Sequence, residues 1–307
     1  MALPNQVSPP QIALSSAAPT GVLGADAVAV PLLTGDEGPT LGPGAAELLD
    51  EIDLDVFALL EHHKVTGKTG EVVEHPVLSR EGLTNDSLRS VLLVGVGQGR
   101  PADLRKAGAA LARRTKNKET VATSLAALSD DAGLRALVEG LVLGSFGFHR
   151  RSDGAKEQPV SRVVLAGVSD APERQQALER ALALAGAGWM ARTLALVPAN
   201  EKNPAWMAER ATEVAKSSGL KVRVWDEKQL AREGFGVLTE IDVEDVGRSE
   251  HVHLVRHRRD VDLGRHGVVG VERLQVRGAR DHLPGSGRGR GSRRRRPSSS
   301  GRSGRRG

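Results

Sequence analysis

The sequence has 307 residues, with 43 Lys and Arg against 38 Asp and Glu, for a formal net charge of +5. It contains no cysteine, which excludes disulfide frameworks, thiolate metal sites and thiol nucleophiles. No apolar run reaches the ~18 residues of a membrane span. The first Lys or Arg is Lys64, which fits neither a secretory signal nor an Arg-rich transit peptide, so a cytoplasmic protein without a membrane partner is expected.

The charge is distributed unevenly along the chain. Residues 237–307 hold 17 Arg, no Lys and 9 acids, a net charge of +8, whereas residues 1–236 hold 26 basic and 29 acidic residues, a net charge of −3. All Lys, Phe and Trp residues precede residue 237, whereas most of the His residues follow it. Two different compositions therefore join near Gly236, and a nucleic-acid partner is suggested only for the second segment.

Short apolar runs alternate with helical patterns from residue 25 onward, as is typical of an α/β fold. Residues 1–24, rich in Pro, Ser and Ala, predict a flexible arm. The next predicted elements are a strand at 25–33, a helix at 45–63, a strand at 90–97, a helix at 102–114, a strand at 120–126, a helix at 134–144 and a buried strand at 162–168. They predict a mainly parallel, twisted sheet covered by helices.

A longer helical pattern at 172–197 is suited to connect two domains, although Gly186 and Gly188 disfavour an unbroken helix. A helix that begins near Pro204 and ends at Gly219, a strand at 221–225 and a further short helix predict the start of a second α/β domain. The chain then ends in GSGRGRGSRRRRPSSSGRSGRRG, which offers no apolar anchor for a core and is predicted to be disordered.

Two glycine-rich strings invite a phosphate-binding interpretation. GVGQGR (95–100) follows a predicted strand and precedes a helix, but it lacks the G-x-x-G spacing of dinucleotide sites, and Pro101 removes one N–H donor. GKTGE (67–71) lacks the upstream glycine of a P-loop. Tight and polar turns are the simpler interpretations. His62 and His63 would bind a metal only with ligands from elsewhere, because adjacent helical positions point in different directions.

VEGLVLGSFGFHRRSDG (138–154) is the most distinctive string, since a helix with two glycines precedes Phe146 and Phe148. It resembles the end of the amino-terminal domain in the leucyl aminopeptidase family, where V-E-G-x-x-L-G precedes an aromatic-x-Phe pair. The resemblance continues through RVVLAGV (162–168), ARTLALVPAN (191–200) and NPAWMAERATEVAKSSGLKVRVWDEKQLAREGFG (203–236), and covers about residues 25–236. LVPAN departs from the family pattern, which usually has Asn-Thr-Pro before a further Asn.

The resemblance implies a macro-like amino-terminal α/β domain of mixed sheet with flanking helices at 25–170, a linking helix at 171–198, an incomplete second α/β domain at 199–236 and an unrelated tail at 237–307. Intact members are implied to be homo-hexamers that release N-terminal amino acids from peptides with two divalent metals, Mn or Zn. Their metal-holding segments, G-K-G-I-T-F-D-S-G-G and N-T-D-A-E-G-R, lie downstream of the glycine that corresponds to Gly236. Neither is present here. We therefore expect an inactive chain with no catalytic, cofactor-binding or metal-binding residue.

The tail leaves two further hypotheses open. Its acids in IDVEDVGR (241–248) and DVDLGRH (260–266) could ligate a cation in principle, but solvated charges are the simpler interpretation. Its wealth of Arg, Gly, Ser, Val and His is typical of a GC-rich gene translated in a shifted frame, so a frameshift is the hypothesis for its origin. Alternative functions are non-specific nucleic-acid association through the Arg-rich tail, and ligand binding by a free-standing macro-like domain.

Overall fold

A computed structural model describes residues 6–36, 38–52, 54–78, 82–233 and 251–254. Its main sheet consists of β1 (Gln11–Leu14), β2 (Ala27–Gly35), β3 (Gly38–Leu41), β4 (Val72–Pro76), β5 (Ser90–Gly97), β6 (Thr120–Thr123) and β7 (Arg162–Leu165). Among the described residues these seven strands follow the order β1-β7-β6-β2-β5-β4, with β3 also paired to β2.

The sheet is parallel in its centre and antiparallel at one side. The neighbours β1, β7, β6, β2 and β5 run parallel to one another. The strand β4 pairs antiparallel with β5, and β3 pairs antiparallel with β2. This confirms the prediction of a mixed α/β sheet. The strand β1 was not predicted, and it lies within the segment 1–24 that was expected to form a flexible arm.

The helices are α1 (Ala45–Ile52), α2 (Val56–His63), α3 (Pro101–Arg114), α4 (Asp131–Gly144), α5 (Pro172–Leu196), α6 (Pro204–Ser217) and α7 (Glu227–Arg232). The prediction of one helix over 45–63 is wrong. A new helix starts at Val56 because the Asp55 carboxylate accepts a hydrogen bond from the Ala58 amide at 3.0 Å, which is the bond of an N-cap.

Alternate side chains of the central strands point to opposite faces of the sheet and belong to two separate hydrophobic cores. In β5, Leu92, Val94 and Val96 belong to a core that includes buried residues of α3, α4 and α5. Val91 and Leu93 belong to a second core that includes residues of α1 and α2. Every residue of β5 is buried, as expected for a strand covered on both faces.

The helix α5 is continuous over 25 residues, which corrects the doubt raised by its two glycines. Its buried positions Leu178, Ala181, Ala185 and Trp189 recur at helical spacing. After α6, strand β8 (Val222–Trp225) pairs antiparallel with β9 (His251–Leu254). Of the segment 237–307, only β9 falls within the described residues, so the predicted boundary near Gly236 and the predicted disorder of the tail stay predictions.

Candidate functional site

The glycine string GVGQGR spans the end of β5 and the start of α3, at the edge of the sheet where ligands often bind in α/β folds. Its three glycine amides already have backbone partners, and that of Gly99 donates to the Val96 carbonyl at 2.9 Å. Gly95 N–H donates to the Glu71 carbonyl at 2.8 Å, and Gly97 N–H donates to the Gly67 carbonyl at 2.9 Å. These donors are therefore not free for a phosphate, which favours the turn interpretation.

The two glycine strings pack against each other, and this contact explains their composition. A Cβ atom at Gly95 would overlap the Lys68 carbonyl, and one at Gly97 would overlap the Thr69 hydroxyl. Gly97 also has a φ of +57°, a conformation that side chains other than glycine rarely adopt. GVGQGR and GKTGE therefore pack against each other and are joined by backbone hydrogen bonds, which favours a structural role over phosphate binding.

The N-terminus of α3 already has a carboxylate beside it. The Thr69 hydroxyl donates to Asp103 Oδ1 at 2.9 Å, and Asp103 lies in the first turn of the helix. An acid at that position complements the positive end of the helix dipole and repels a second anion. On the other side of β2, Ser124 Oγ donates to the Pro43 carbonyl at 2.6 Å, and a Cβ at Gly44 would lie 2.8 Å from Pro19 Cγ. Protein atoms thus occupy the space beside Gly44 and Ser124 at this edge of the sheet.

His62 and His63 are not part of a cluster of metal-ligating side chains in the described part of the chain. His62 and His63 are exposed at the end of α2, with their rings edge to face at a centroid distance of 4.9 Å. Within the described ranges, no group of three or more His, Cys, Asp or Glu side chains is placed to hold a metal ion. The acids of 241–248 and 260–266 lie outside the described residues, so the expectation of no metal site stays a prediction.

The string VEGLVLGSFGF brings α4 into close contact with α3. A Cβ at Gly140 of α4 would overlap the Arg105 carbonyl of α3, and one at Gly144 would lie 2.5 Å from Ala109 Cα. The chain then leaves α4 with Phe146 edge to face on Trp189 of α5, at a centroid distance of 5.0 Å. These residues hold α3, α4 and α5 together, so their role in the described structure is packing.

The connection from α5 to α6 is fixed by three polar side chains that carry no recognisable sequence motif. Lys202 Nζ donates to the Leu194 and Ala195 carbonyls at 3.3 and 3.1 Å, and so caps the end of α5. Glu201, with 15% of its side chain exposed, forms an ion pair with Arg150, with 2.8 Å between Glu201 Oε1 and Arg150 Nη2. The Asn203 side chain caps α6 by accepting from the Trp206 amide at 2.9 Å.

Glu74 on β4 is a partly buried carboxylate whose pKa is shifted by its neighbours. Partial burial disfavours its charged form. The hydrogen bonds from Lys118 and Ser90, together with the charges of Lys118 and Arg114, outweigh burial and hold the pKa of Glu74 below its ordinary value. Both cations lie 2.9 Å from the carboxylate. This network links the edge strand β4 to the last residue of α3 and to the turn that precedes β6.

The fold is therefore that of a three-layer α/β domain, with helices packed on both faces of a mixed sheet. Residues 27–154 match the family model of the cytosol aminopeptidase family, N-terminal domain. A probable cytosol aminopeptidase of Rhodococcus jostii (strain RHA1) is 32% identical over 236 residues, covering 74% of this chain and 44% of the relative. One of Mycobacterium bovis (strain BCG / Pasteur 1173P2) is 35% identical over 239 residues, covering 74% and 45%.

Solved structures of similar proteins agree with the fold. A mutant of tomato leucine aminopeptidase superposes with a TM-score of 0.67 at 21% identity, covering 84% of this chain and 54% of that chain. The bottromycin maturation enzyme BotP in complex with Mn superposes with a TM-score of 0.57 at 26% identity, covering 75% and 44%. Residues 27–154 of this chain are therefore an N-terminal domain of the cytosol (leucyl) aminopeptidase family.

The chain spans less than half the length of the curated relatives it matches, at 44% to 47% of each. In the described part of the chain, none of the helices combines the length and the apolar character needed to cross a bilayer.

Proposed function

We propose that this chain is the amino-terminal, non-catalytic part of an aminopeptidase of the cytosol family, and that it hydrolyses no peptides by itself. The observation that carries this proposal is a contrast within the sequence. Residues 27–154 match the N-terminal domain of the family. Neither of the two metal-holding segments implied by the family resemblance is present among the 307 residues.

The chemistry of the intact family explains why those segments matter. Two divalent metals, zinc or manganese, would polarise the scissile carbonyl and lower the pKa of a bridging water, and they need several carboxylates that converge on one spot. The described residues do not supply such a donor set, since they contain no cluster of three or more metal-ligating side chains. The Glu74 carboxylate, for example, is paired with the cations Arg114 and Lys118.

The test is hydrolysis of leucine p-nitroanilide by the purified 307-residue chain, with and without Mn²⁺, beside an intact relative as positive control. We expect no release of p-nitroaniline above the buffer rate at any metal concentration. Hydrolysis that Mn²⁺ stimulates and a chelator abolishes would overturn the proposal. Replacing the acids of 241–248 with amides would then show whether that segment supplies the ligands.

We propose a frameshift as the origin of residues 237–307. Support comes from the change in composition that follows the segment resembling the family, with no Lys and 17 Arg in the final 71 residues. Resequencing the gene across codons 234–240 tests this origin. We expect an alternative frame that encodes the two missing metal-holding segments, and a frame without them would contradict the hypothesis.

The second candidate function is non-specific association with nucleic acid through the tail, favoured by the run RGRGSRRRRPSSSGRSGRR. Arginines that neutralise phosphates release counterions, so binding should weaken steeply as salt rises. A gel shift at two salt concentrations, comparing the full chain with one that ends at Gly236, tests whether the tail binds nucleic acid. Equal shifts for both chains would remove the tail as the binding element.

For intact relatives we propose peptide substrates, assembly into homo-hexamers and a cytoplasmic location. They would apply to this chain only if it assembles with intact subunits. Co-purification with a tagged intact relative measures such assembly. Failure to co-purify would restrict the chain to the role of an independent domain.

A further inference from the structure

A surface cavity of about 360 Å³ lies beside the segment that follows α4, on a part of the domain that the proposed function does not use. Its apolar wall comprises Val7, Phe146, Phe148, Ala155 and Pro159. Both phenylalanines are only half buried, so part of each ring is available at the surface. The volume is at the lower end of the range of small-molecule sites, and an apolar wall with a few polar groups is the usual composition of such sites.

The polar rim of the cavity is predominantly cationic. It contains Lys116, Arg151 and Lys156 but only one acid, Glu157. Lys116 is paired with Glu157 at 2.6 Å, and Arg151 is paired with the adjacent Asp153. Lys156 is exposed and has no ion pair among the described residues. With Asp153 counted, the rim keeps one uncompensated positive charge, and Lys156 carries it.

The walls are held by hydrogen bonds between segments distant in the chain. The Gln6 side chain makes two bonds to the His149 backbone, donating to its carbonyl at 2.9 Å and accepting from its amide at 3.0 Å. On the other side, Gln158 and Asn117 exchange two bonds, of 2.8 and 2.9 Å. A ligand would therefore meet walls that are already in place, which lowers the entropic cost of binding.

We propose that this cavity binds a small organic anion with an apolar body, whose carboxylate or phosphate head pairs with Lys156 while its apolar body packs on Phe146 and Phe148. The unpaired cation supplies the preference for an anion, and the half-buried rings supply the preference for an apolar group. A free inorganic ion would lack the second contact, and a neutral apolar molecule would lack the first. Both contacts together distinguish the site from a solvated basic surface.

The test is isothermal titration of the full chain with three probes: 3-phenylpropionate, phenyl phosphate and the neutral 3-phenylpropionamide. For a probe of this size in a half-open cavity, we expect dissociation constants on the order of 1 mM for the two anions. The neutral amide should bind about fivefold more weakly, as expected for the loss of one exposed charge pair. Comparison of the two anions tells whether the head preferred is a carboxylate or a phosphate.

Two variants and one control localise the binding. Lys156→Ala should weaken both anions about fivefold and leave the amide unchanged. Ala155→Phe fills the cavity without a change of charge and should abolish binding of all three probes. The control is Lys106→Ala, which removes an exposed cation outside the cavity lining and should change nothing. Thermal melting checks that each variant is folded.

Two results would overturn the proposal. One is an amide that binds as tightly as the anions, since the cationic rim would then play no part. The other is a Lys156→Ala variant and a folded Ala155→Phe variant that both bind like Lys106→Ala, since the anions would then sit elsewhere on the surface.

Discussion

Gly108→Ala tests the close contact between α3 and α4. Gly108 is buried in the middle of α3, and an added Cβ would lie 2.6 Å from the Leu137 carbonyl oxygen and 3.0 Å from Leu137 Cδ1. Ordinary C···O contacts are no closer than about 3.3 Å, so the helices would have to separate by roughly 0.7 Å. The obstacle is backbone, which cannot rotate away as a side chain could.

The size of the effect follows from two opposing contributions. Inserting one methyl group into a packed interface costs about 1–3 kcal/mol, and a backbone obstacle places this site at the upper end of that range. Replacing Gly by Ala inside a helix returns about 1 kcal/mol of helix propensity. The net expectation is a loss of about 2 kcal/mol, which lowers the melting temperature by roughly 4–8 °C for a unit of this size.

The assay is thermal and urea unfolding of the full chain followed by circular dichroism, with Gly186→Ala as the matched control. Gly186 lies within α5, and an added Cβ there would meet no atom within 4 Å. The same substitution should therefore stabilise at Gly186, by up to about 1 kcal/mol, and destabilise at Gly108. If both variants shift the midpoint upward, the close approach of α3 and α4 is refuted.

Three further predictions concern other parts of the domain. Because the pKa of Glu74 is held below its ordinary value, its ionised form stabilises the fold above the ordinary carboxyl pKa. Wild type should thus exceed Glu74→Gln in stability at pH 7, and the difference should vanish as the pH falls through the depressed pKa; a difference constant down to pH 3 would contradict this. Asp130→Ala removes the cap that accepts from the Ala132 and Gly133 amides, and should cost about 1 kcal/mol in urea unfolding, whereas Asp130→Asn should cost much less. Finally, calorimetry with ADP-ribose should show no heat of binding, because the amides of Gly95 and Gly97 are already bonded; saturable binding would restore the macro-like ligand hypothesis.

Regular elements with strong local signals were predictable from the sequence. The strand 90–97 is buried throughout, and its apolar run predicted both of its ends. Pro204 marks the first residue of α6, since proline suits the first turn of a helix, and α3 begins at Pro101, one residue before its predicted start. Gly219 has a φ of +65° just beyond α6, as expected of a residue that ends a helix.

Features that depend on contacts between distant segments were not predictable. The strand β1 has few residues of its own to indicate a strand, and it exists through its parallel pairing with β7, about 150 residues later in the chain. The break between α1 and α2 depends on one side chain, Asp55, whose capping bond interrupts an apolar period that continues on both sides. The glycines of GVGQGR have the composition of a phosphate loop, and only their partner segment 67–70 shows that they serve packing.

Because α5 is unbroken, its length sets the direction in which the residues that follow it face. Each residue of an α-helix advances the axis by about 1.5 Å and turns it by about 100°. One residue inserted beyond Trp189 would therefore swing the far end of α5 through more than a quarter turn, and Glu201 would face away from Arg150. Seven inserted residues, close to two full turns, would restore the facing but move it by roughly 10 Å along the axis. Relatives that share this junction should thus tolerate changes in the composition of the helix far better than changes in its length.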